Sequence, residues 1–307
     1  SIAPIPPPAE TRGRLNARPE PQDAEPRREF SRPPGERWQE EPAAPIAAPD
    51  GMPRPPLAQL SGAGAFTWRT YRFCPEVQSC EQTPPAGSMA AVKYSTDRPY
   101  SGFLVGASFF PLRNQDNAAR GLGVAVGFGR SLFLRTRYLD KARQEQVFGS
   151  TQQRLHGELV YRWYYRIDGM GDGYLGARLG YLSHLFMVDE NPKIVDSRRG
   201  GLTLAAEAAL PINRFLSVEG RFAGVPLASP GEAERKLYGS DASGGGFALQ
   251  AGFSSDLGHP EWHVEPVVLF DMIHFGDRYA NTQGGSPRIG RALEDYYGLS
   301  VGVRANF

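Results

Sequence analysis

Residues 296–307, YYGLSVGVRANF, close the chain, and their reading decides the fold. Taken backward in steps of two they give Phe307, Ala305, Val303, Val301, Leu299 and Tyr297 on one face. The other face carries Asn306, Arg304, Gly302, Ser300, Gly298 and Tyr296. Successive side chains of a strand point to opposite sides, so this strict alternation describes a strand whose faces meet different environments. One face is apolar and the other is small or polar. A soluble sandwich can also end on such a strand, so the rest of the chain has to decide.

The same two faces recur upstream. Phe103, Val105, Ala107 and Phe109 alternate with Gly102, Leu104, Gly106 and Ser108, and Leu122, Val124, Val126 and Phe128 alternate with Gly121, Gly123, Ala125 and Gly127. A tight turn at 129–131 is expected to lead into Leu132, Leu134, Thr136 and Tyr138, whose opposite face bears Arg135 and Arg137. In RLHGELVYRWYYR, residues 154–166, the apolar face gathers Leu155, Leu159, Tyr161, Trp163 and Tyr165 against His156, Glu158, Arg162 and Arg166. Further strands are read at 174–187, 200–210, 215–225, 245–255 and 262–275, which makes ten from Tyr100 onward. A tilted strand needs about 9–11 residues to cross a bilayer. Pro266 falls inside one of them and reads as a bulge or bend, because it removes a ladder donor.

Connections alternate in length. Short turns at Arg130, 167–172, 211–214 and 256–261 alternate with longer polar loops at 139–153, 188–199, 226–243 and 277–295. Short turns at one end and long loops at the other are the habit of a transmembrane barrel, and a sandwich has no reason to keep that parity.

The closing stretch resembles the last strand of bacterial outer-membrane β-barrels, which ends in Phe with apolar residues at alternate positions before it; Ala305 departs from that pattern, where an aromatic is more usual. The resemblance implies an all-β, antiparallel, transmembrane up-and-down barrel of ten strands, or twelve if an earlier hairpin joins. It implies surrounding outer-membrane lipid, and an assembly signal at Tyr297, Leu299, Val301, Val303 and Phe307 read by the barrel-assembly machinery. Residues 99–307 form the expected barrel.

Composition agrees. No run of eighteen apolar residues occurs, which excludes a spanning helix, and the mean hydropathy of −0.41 conceals alternation. Net charge is +1 with both signs mixed, so no basic patch points to nucleic acid. No signal peptide is legible at Ser1, so an exported protein is expected to be already processed here.

Residues 1–62 form a different polymer, with Pro at 4, 6, 7, 8, 19, 21, 26, 33 and 34 and onward, interleaved with Arg, Glu and Ala. Such a segment buries too little apolar surface to offset its ordering entropy, and it reads as a disordered periplasmic arm. At about 3.1 Å per residue, its first sixty residues reach on the order of 190 Å when extended. Residues 1–60 are therefore expected to engage a periplasmic or envelope protein partner. Between arm and barrel, residues 63–98 hold AFTWRTYRF and MAAVKYST, read as a separate hairpin or as the first barrel hairpin. Cys74 and Cys80 lie between these runs at a spacing that closes a small disulfide in an oxidising compartment; two free thiols in a reducing one are the alternative.

The expected lumen gathers Arg135, Arg137, His156, Glu158, Arg162, Arg166, Arg178, His184, Glu207, Glu219, Arg221, His263, Glu265, Asp271 and Arg304. Mixed charges inside a narrow barrel pair and fill it, because an unpaired buried charge is costly. His263, Glu265 and Asp271 share a face, as do His156 and Glu158, but no serine motif or Asp pair accompanies them, so neither an enzyme nor a metal or cofactor is expected. GDGYLG and GGGF are not followed by helical patterns and read as turns rather than phosphate loops. The functional expectation is an anchor or interaction component of an envelope-spanning assembly for motility, adhesion or secretion. The alternative is a small porin-like channel for small solutes or anions, biased by Arg135, Arg137, Arg162 and Arg178.

Overall fold

A computed structural model describes residues 53–83, 85–86, 91–96, 98–139, 144–189, 194–256, 263–280 and 289–307. The expected arm lies outside these residues up to position 52. In chain order the elements are β1 (Ala58–Pro75), β2 (Val92–Thr96), β3 (Tyr100–Phe109), β4 (Leu122–Leu132), β5 (Leu134–Leu139), β6 (Glu145–Ile167), β7 (Gly171–Val188), β8 (Ser197–Asn213), β9 (Leu216–Pro230), α1 (Glu232–Tyr238), β10 (Asp241–Ser255), β11 (His263–Ala280) and β12 (Gly290–Asn306). A short 3₁₀ turn, Ala118–Gly121, precedes β4, with the Asn117 side chain accepting from the Ala119 backbone N–H.

All the strand pairs are antiparallel, and the sheet closes through β12–β1. Its register runs from Gln59 opposite Asn306 to Pro75 opposite Gly290. The ring is ten strands deep at either height. Near the chain termini it passes through β1–β3–β4–β6, and at the far end through β1–β2–β5–β6. β2 with β3, and β4 with β5, are thus single barrel strands, each interrupted once.

Two expectations change here. The closing strand seals against β1, which starts at Ala58 within the stretch read as the arm, and not against the strand at Tyr100. Alternation in β1 is faint because its outward Gly62 and Gly64 carry no side chain. The turn expected at Arg130 is absent: Arg130 pairs with Phe103 and Gln153 in mid-ladder, and the chain continues through β4 into β5.

What separates β4 from β5 is Phe133, with φ of 54° in the left-handed region. Against β6 the register passes from Arg130 opposite Gln153 to Leu134 opposite Ser150, so β4–β5 spends one residue more than its partner. One extra residue reverses the side-chain alternation. Leu134 and Thr136 are consequently buried, and Arg135 faces outward.

Pro266 causes no bulge. Its register with β12 is unshifted, and the β10–β11 ladder begins only at Val267, so on that side Pro266 occupies an unpaired edge.

The distribution of side chains is inside-out. Leu60, Phe66, Val105, Val124, Val126, Leu155, Leu159, Leu179, Leu204, Phe222, Phe253, Phe270, Val301 and Val303 are all exposed, while Glu158, Arg162, Glu207 and Glu219 are buried. Apolar surface of this extent is stable only against hydrocarbon. On β12 the apolar face runs from Tyr297 to Phe307; ten steps of about 3.3 Å at the usual tilt give about 25 Å, the height of a bilayer core. Trp68 and Tyr297 lie opposite each other at its upper edge, and Tyr161, Trp163 and Phe215 lie near its lower edge. The strands continue above this belt. The chain therefore has the fold of an outer-membrane β-barrel, with both described termini at the lower end.

Candidate functional site in a filled lumen

Inward side chains are crowded because glycines on facing strands make room for them. A Cβ at Gly127 would lie 2.2 Å from the His156 ring opposite, and one at Gly298 would lie 2.6 Å from Asp271 Oδ1. Within the belt these side chains form one continuous chain of hydrogen bonds, charge-assisted except where Gln59 meets Asn306. Arg221 binds Glu158, and Arg178 donates to Glu158 at 2.9 Å and to Glu207 at 2.6 Å. Arg162 donates to Glu207 at 2.7 Å and reaches Gln59 at 3.4 Å. Gln59 donates to Asn306, Asn306 to Glu265, and Arg304 bridges Glu265 to Glu219, at 2.6–3.1 Å. Four guanidinium groups therefore meet four carboxylates, which is the balance that burial demands. Arg162 also stacks over Tyr174, 4.3 Å from the ring centre. A cavity of about 200 Å³ remains beside Gln59, His156, Arg178 and Arg221.

A second cluster fills the barrel above the belt. Arg69 donates from Nε to Glu294 at 2.7 Å and lies 3.4 Å from the Phe186 ring centre. Glu294 also accepts from Tyr296 at 2.6 Å and from Ser197 at 2.8 Å. Arg199 binds Glu234 through both terminal nitrogens, approaches Asp277 Oδ2 at 2.6 Å and Glu294 at 3.4 Å, and is itself inaccessible. The Tyr71 hydroxyl donates to Glu234 at 3.1 Å. Around these charges pack Tyr71 on Tyr94 at 4.6 Å and Phe73 on Tyr238 at 3.8 Å, with Tyr279 edge-on. The helix α1, between Gly231 and Gly239, thus plugs the upper mouth with Glu234 and Tyr238. Three carboxylates here face two guanidinium groups. Burial of Glu234 outweighs its attraction to Arg199 and pushes its carboxyl above the ordinary range, which eases that excess.

The lower mouth holds the residues that enter β1. Pro53 and Pro55 are buried, Arg54 donates to Asp116 at 3.0 Å, and Arg113 donates to the Phe307 carbonyl at 3.1 Å. A vestibule of about 580 Å³ lies beside them, lined by Arg166, His263, Glu265 and Arg304.

Of the charges read from sequence, His156, Glu158, Arg162, Arg178, Glu207, Glu219, Arg221, Glu265, Asp271 and Arg304 point inward within the belt. His184 is buried higher up, hydrogen-bonded to Gln152 at 2.7 Å and edge-on to Tyr296. Two placements are corrected, and two others lie at the lower mouth. Arg135 and Arg137 are turned outward by the extra residue at Phe133, and Arg137 pairs with Glu145 at 2.9 Å on the outer wall. Arg166 is exposed at the β6–β7 turn, paired with Asp172 at 2.6 Å. His263 is exposed at the lower rim, since β11 starts there. Tyr297, Leu299, Val301, Val303 and Phe307 all face outward and are exposed. Cys74 and Cys80 form a disulfide with an S–S distance of 2.05 Å.

Arg69, Arg199, Glu234, Asp277 and Glu294 were not legible as site residues. For Arg199, Asp277 and Glu294 a signal existed: they continue the parity of Glu207, Asp271 and Tyr296 into stretches read as loops. Glu234 sits on a helix and carries no such signal.

No protein-family model matches the sequence, and no curated protein sequence matches it. Solved structures of similar architecture include the outer membrane protease OmpT from Escherichia coli, at 6% identity and a TM-score of 0.48, covering 81% of this chain and 96% of that one. The Pseudomonas putida toluene transporter TodX is 10% identical with a TM-score of 0.27, covering 85% and 91%. A Pseudomonas aeruginosa FadL homologue is 9% identical with a TM-score of 0.21, covering 81% and 90%.

Proposed function

We propose that this protein is a bacterial outer-membrane anchor or interaction component of an envelope-spanning assembly for motility, adhesion or secretion, and that it carries out no catalytic step. The observation that carries the reading is the filled lumen: a charge chain crosses the belt, α1 plugs the upper mouth, and Pro53 and Pro55 occupy the lower one. A barrel built this way serves as a membrane-embedded support, which leaves its upper loops and the Pro-rich arm free for contacts. In this reading the arm, residues 1–52, lies in the periplasm and binds an envelope partner, and the outward row ending at Phe307 is the signal used by the assembly machinery.

The test is removal of residues 1–52 from the cellular protein, leaving Pro53 onward to close the lower mouth. The truncated chain is expected to remain membrane-inserted and heat-modifiable while losing the proteins cross-linked to the full chain. An unchanged cross-linking profile contradicts the arm's role. The channel alternative draws its support from the cavity and the lower vestibule, and conductance separates it from the anchor.

A further inference from the structure

Just above the apolar belt, the outer wall concentrates positive charge on four neighbouring strands. Arg72 of β1 stands directly opposite Lys93 of β2, and Arg278 of β11 stands directly opposite Arg291 of β12. Because β2, β1, β12 and β11 are consecutive in the sheet, the two like-charge pairs lie side by side. Arg72, Lys93 and Arg278 are exposed, and Arg291 is half-buried with its Nε donating to the Gln78 carbonyl at 2.7 Å. Among the described residues, Arg72, Lys93 and Arg278 have no ion-pair partner. The carboxylate nearest below them on the outer face, Asp295, is engaged by His274 Nδ1 at 2.6 Å. At comparable height β7 turns out Ser183 and Leu185, and β10 turns out Gly245, Ser243 and, one step higher, Asp241.

Like charges directly opposite on paired strands repel, so two such pairs side by side persist best where an outside anion neutralises them. Their height says what that anion is. Arg72 lies four residues above Trp68, the top of the hydrocarbon-facing row, which is about 10 Å along the barrel axis, and Arg and Lys side chains span the remaining distance to lipid headgroups. The surface is continuous with the lipid-facing wall and flat across four strands, which suits many small phosphates in a bilayer better than one protein partner.

We propose that the outer wall of β11–β12–β1–β2 binds the phosphate groups of anionic lipid headgroups, with Arg72 and Lys93 holding one and Arg278 and Arg291 another. A guanidinium matches a phosphate with two parallel hydrogen bonds, and a neighbouring cation completes its charge.

The test uses the full chain with Trp38, Trp163 and Trp262 replaced by Phe, so that Trp68 alone reports on the lipid beside the site. The protein is reconstituted with brominated phosphatidylglycerol or brominated phosphatidylcholine, and quenching of Trp68 gives their relative association. Phosphatidylglycerol is expected to bind about fivefold more tightly per basic residue engaged, a preference that collapses in 1 M salt. Arg72→Gln with Lys93→Gln, and separately Arg278→Gln with Arg291→Gln, are each expected to remove most of it. The single exposed-site variants Lys93→Gln and Arg278→Gln give graded losses should a double variant insert poorly. A chain retaining only Trp163, at the lower end, is expected to show no response to these substitutions. Equal quenching by the two lipids, or a preference indifferent to the variants, overturns the proposal. Loss of the preference on adding inorganic phosphate to about 10 mM points to a soluble-anion site and overturns it as well.

Discussion

Arg199 of β8 and Glu234 of α1 form an ion pair that is 0% and 1% exposed, and the same guanidinium lies 2.6 Å from Asp277 of β11. One arginine therefore joins the helix in the upper mouth to two strands of the wall. Its surroundings are largely aromatic, and once the pair is broken Arg199 keeps Asp277 and Glu294 while α1 loses its ionic link to the wall.

Glu234→Ala is accordingly expected to release α1. Arg199 stays compensated by Asp277 and Glu294, so the loss falls on the helix, and the ladders of β9 and β10 do not depend on it. Amide exchange across 231–240 should rise by more than tenfold while the exchange of β6 and β7 stays as it was. Unchanged protection of the helix means that the aromatic packing of Tyr238 alone holds it.

In the belt, Glu207 accepts from both Arg162 and Arg178. Glu207→Ala takes the carboxylate from Arg162 and leaves Arg178 sharing Glu158 with Arg221, and it is expected to destabilise the barrel by about 3–5 kcal/mol in urea unfolding from vesicles. Glu207→Gln keeps the shape and one acceptor and is expected to cost less than the alanine. Equal losses for the two substitutions indicate that packing, and not charge, dominates here.

Deleting Phe133 removes the extra residue of β4–β5, so Leu134 follows the outward Leu132 on the inward face, and Arg135 and Arg137 stay outward. The deletion is expected to keep the heat-modifiable form. Phe133→Gly keeps the count, relieves the left-handed backbone and gives up little packing, since Phe133 is 94% exposed; it is expected to stabilise by about 1 kcal/mol. A deletion variant that no longer folds contradicts the parity argument.

Replacing Cys74 and Cys80 by Ser opens a small loop, for which chain entropy gives about 2 kcal/mol. Because Arg291 reaches into this loop through the Gln78 carbonyl, the effect should appear as faster exchange at 76–82 and 291, with the lower ladder of β1 and β12 unaffected. Global unfolding at a lower urea concentration contradicts that local picture.

The belt was legible because its outward residues alternate with charges that have nowhere else to go: Leu155 to Trp163 and Tyr297 to Phe307 read as they stand. Legibility failed where alternation weakens or reverses. Gly62 and Gly64 hide the outward face of β1, so the seam partner of β12 was missed. The single left-handed residue at Phe133 is locally silent, yet it reverses every side chain beyond it. The upper cluster escaped for a different reason. Arg199, Asp277 and Glu294 lie above the hydrocarbon belt, where polar residues on both faces erase the contrast that marks a strand.

The central claim, a barrel filled through its lumen, is tested most directly by single-channel recording of the purified full chain in planar bilayers. The account predicts no conductance steps from the native protein across the usual voltage range. Reproducible, uniform steps that grow in number with added protein contradict it.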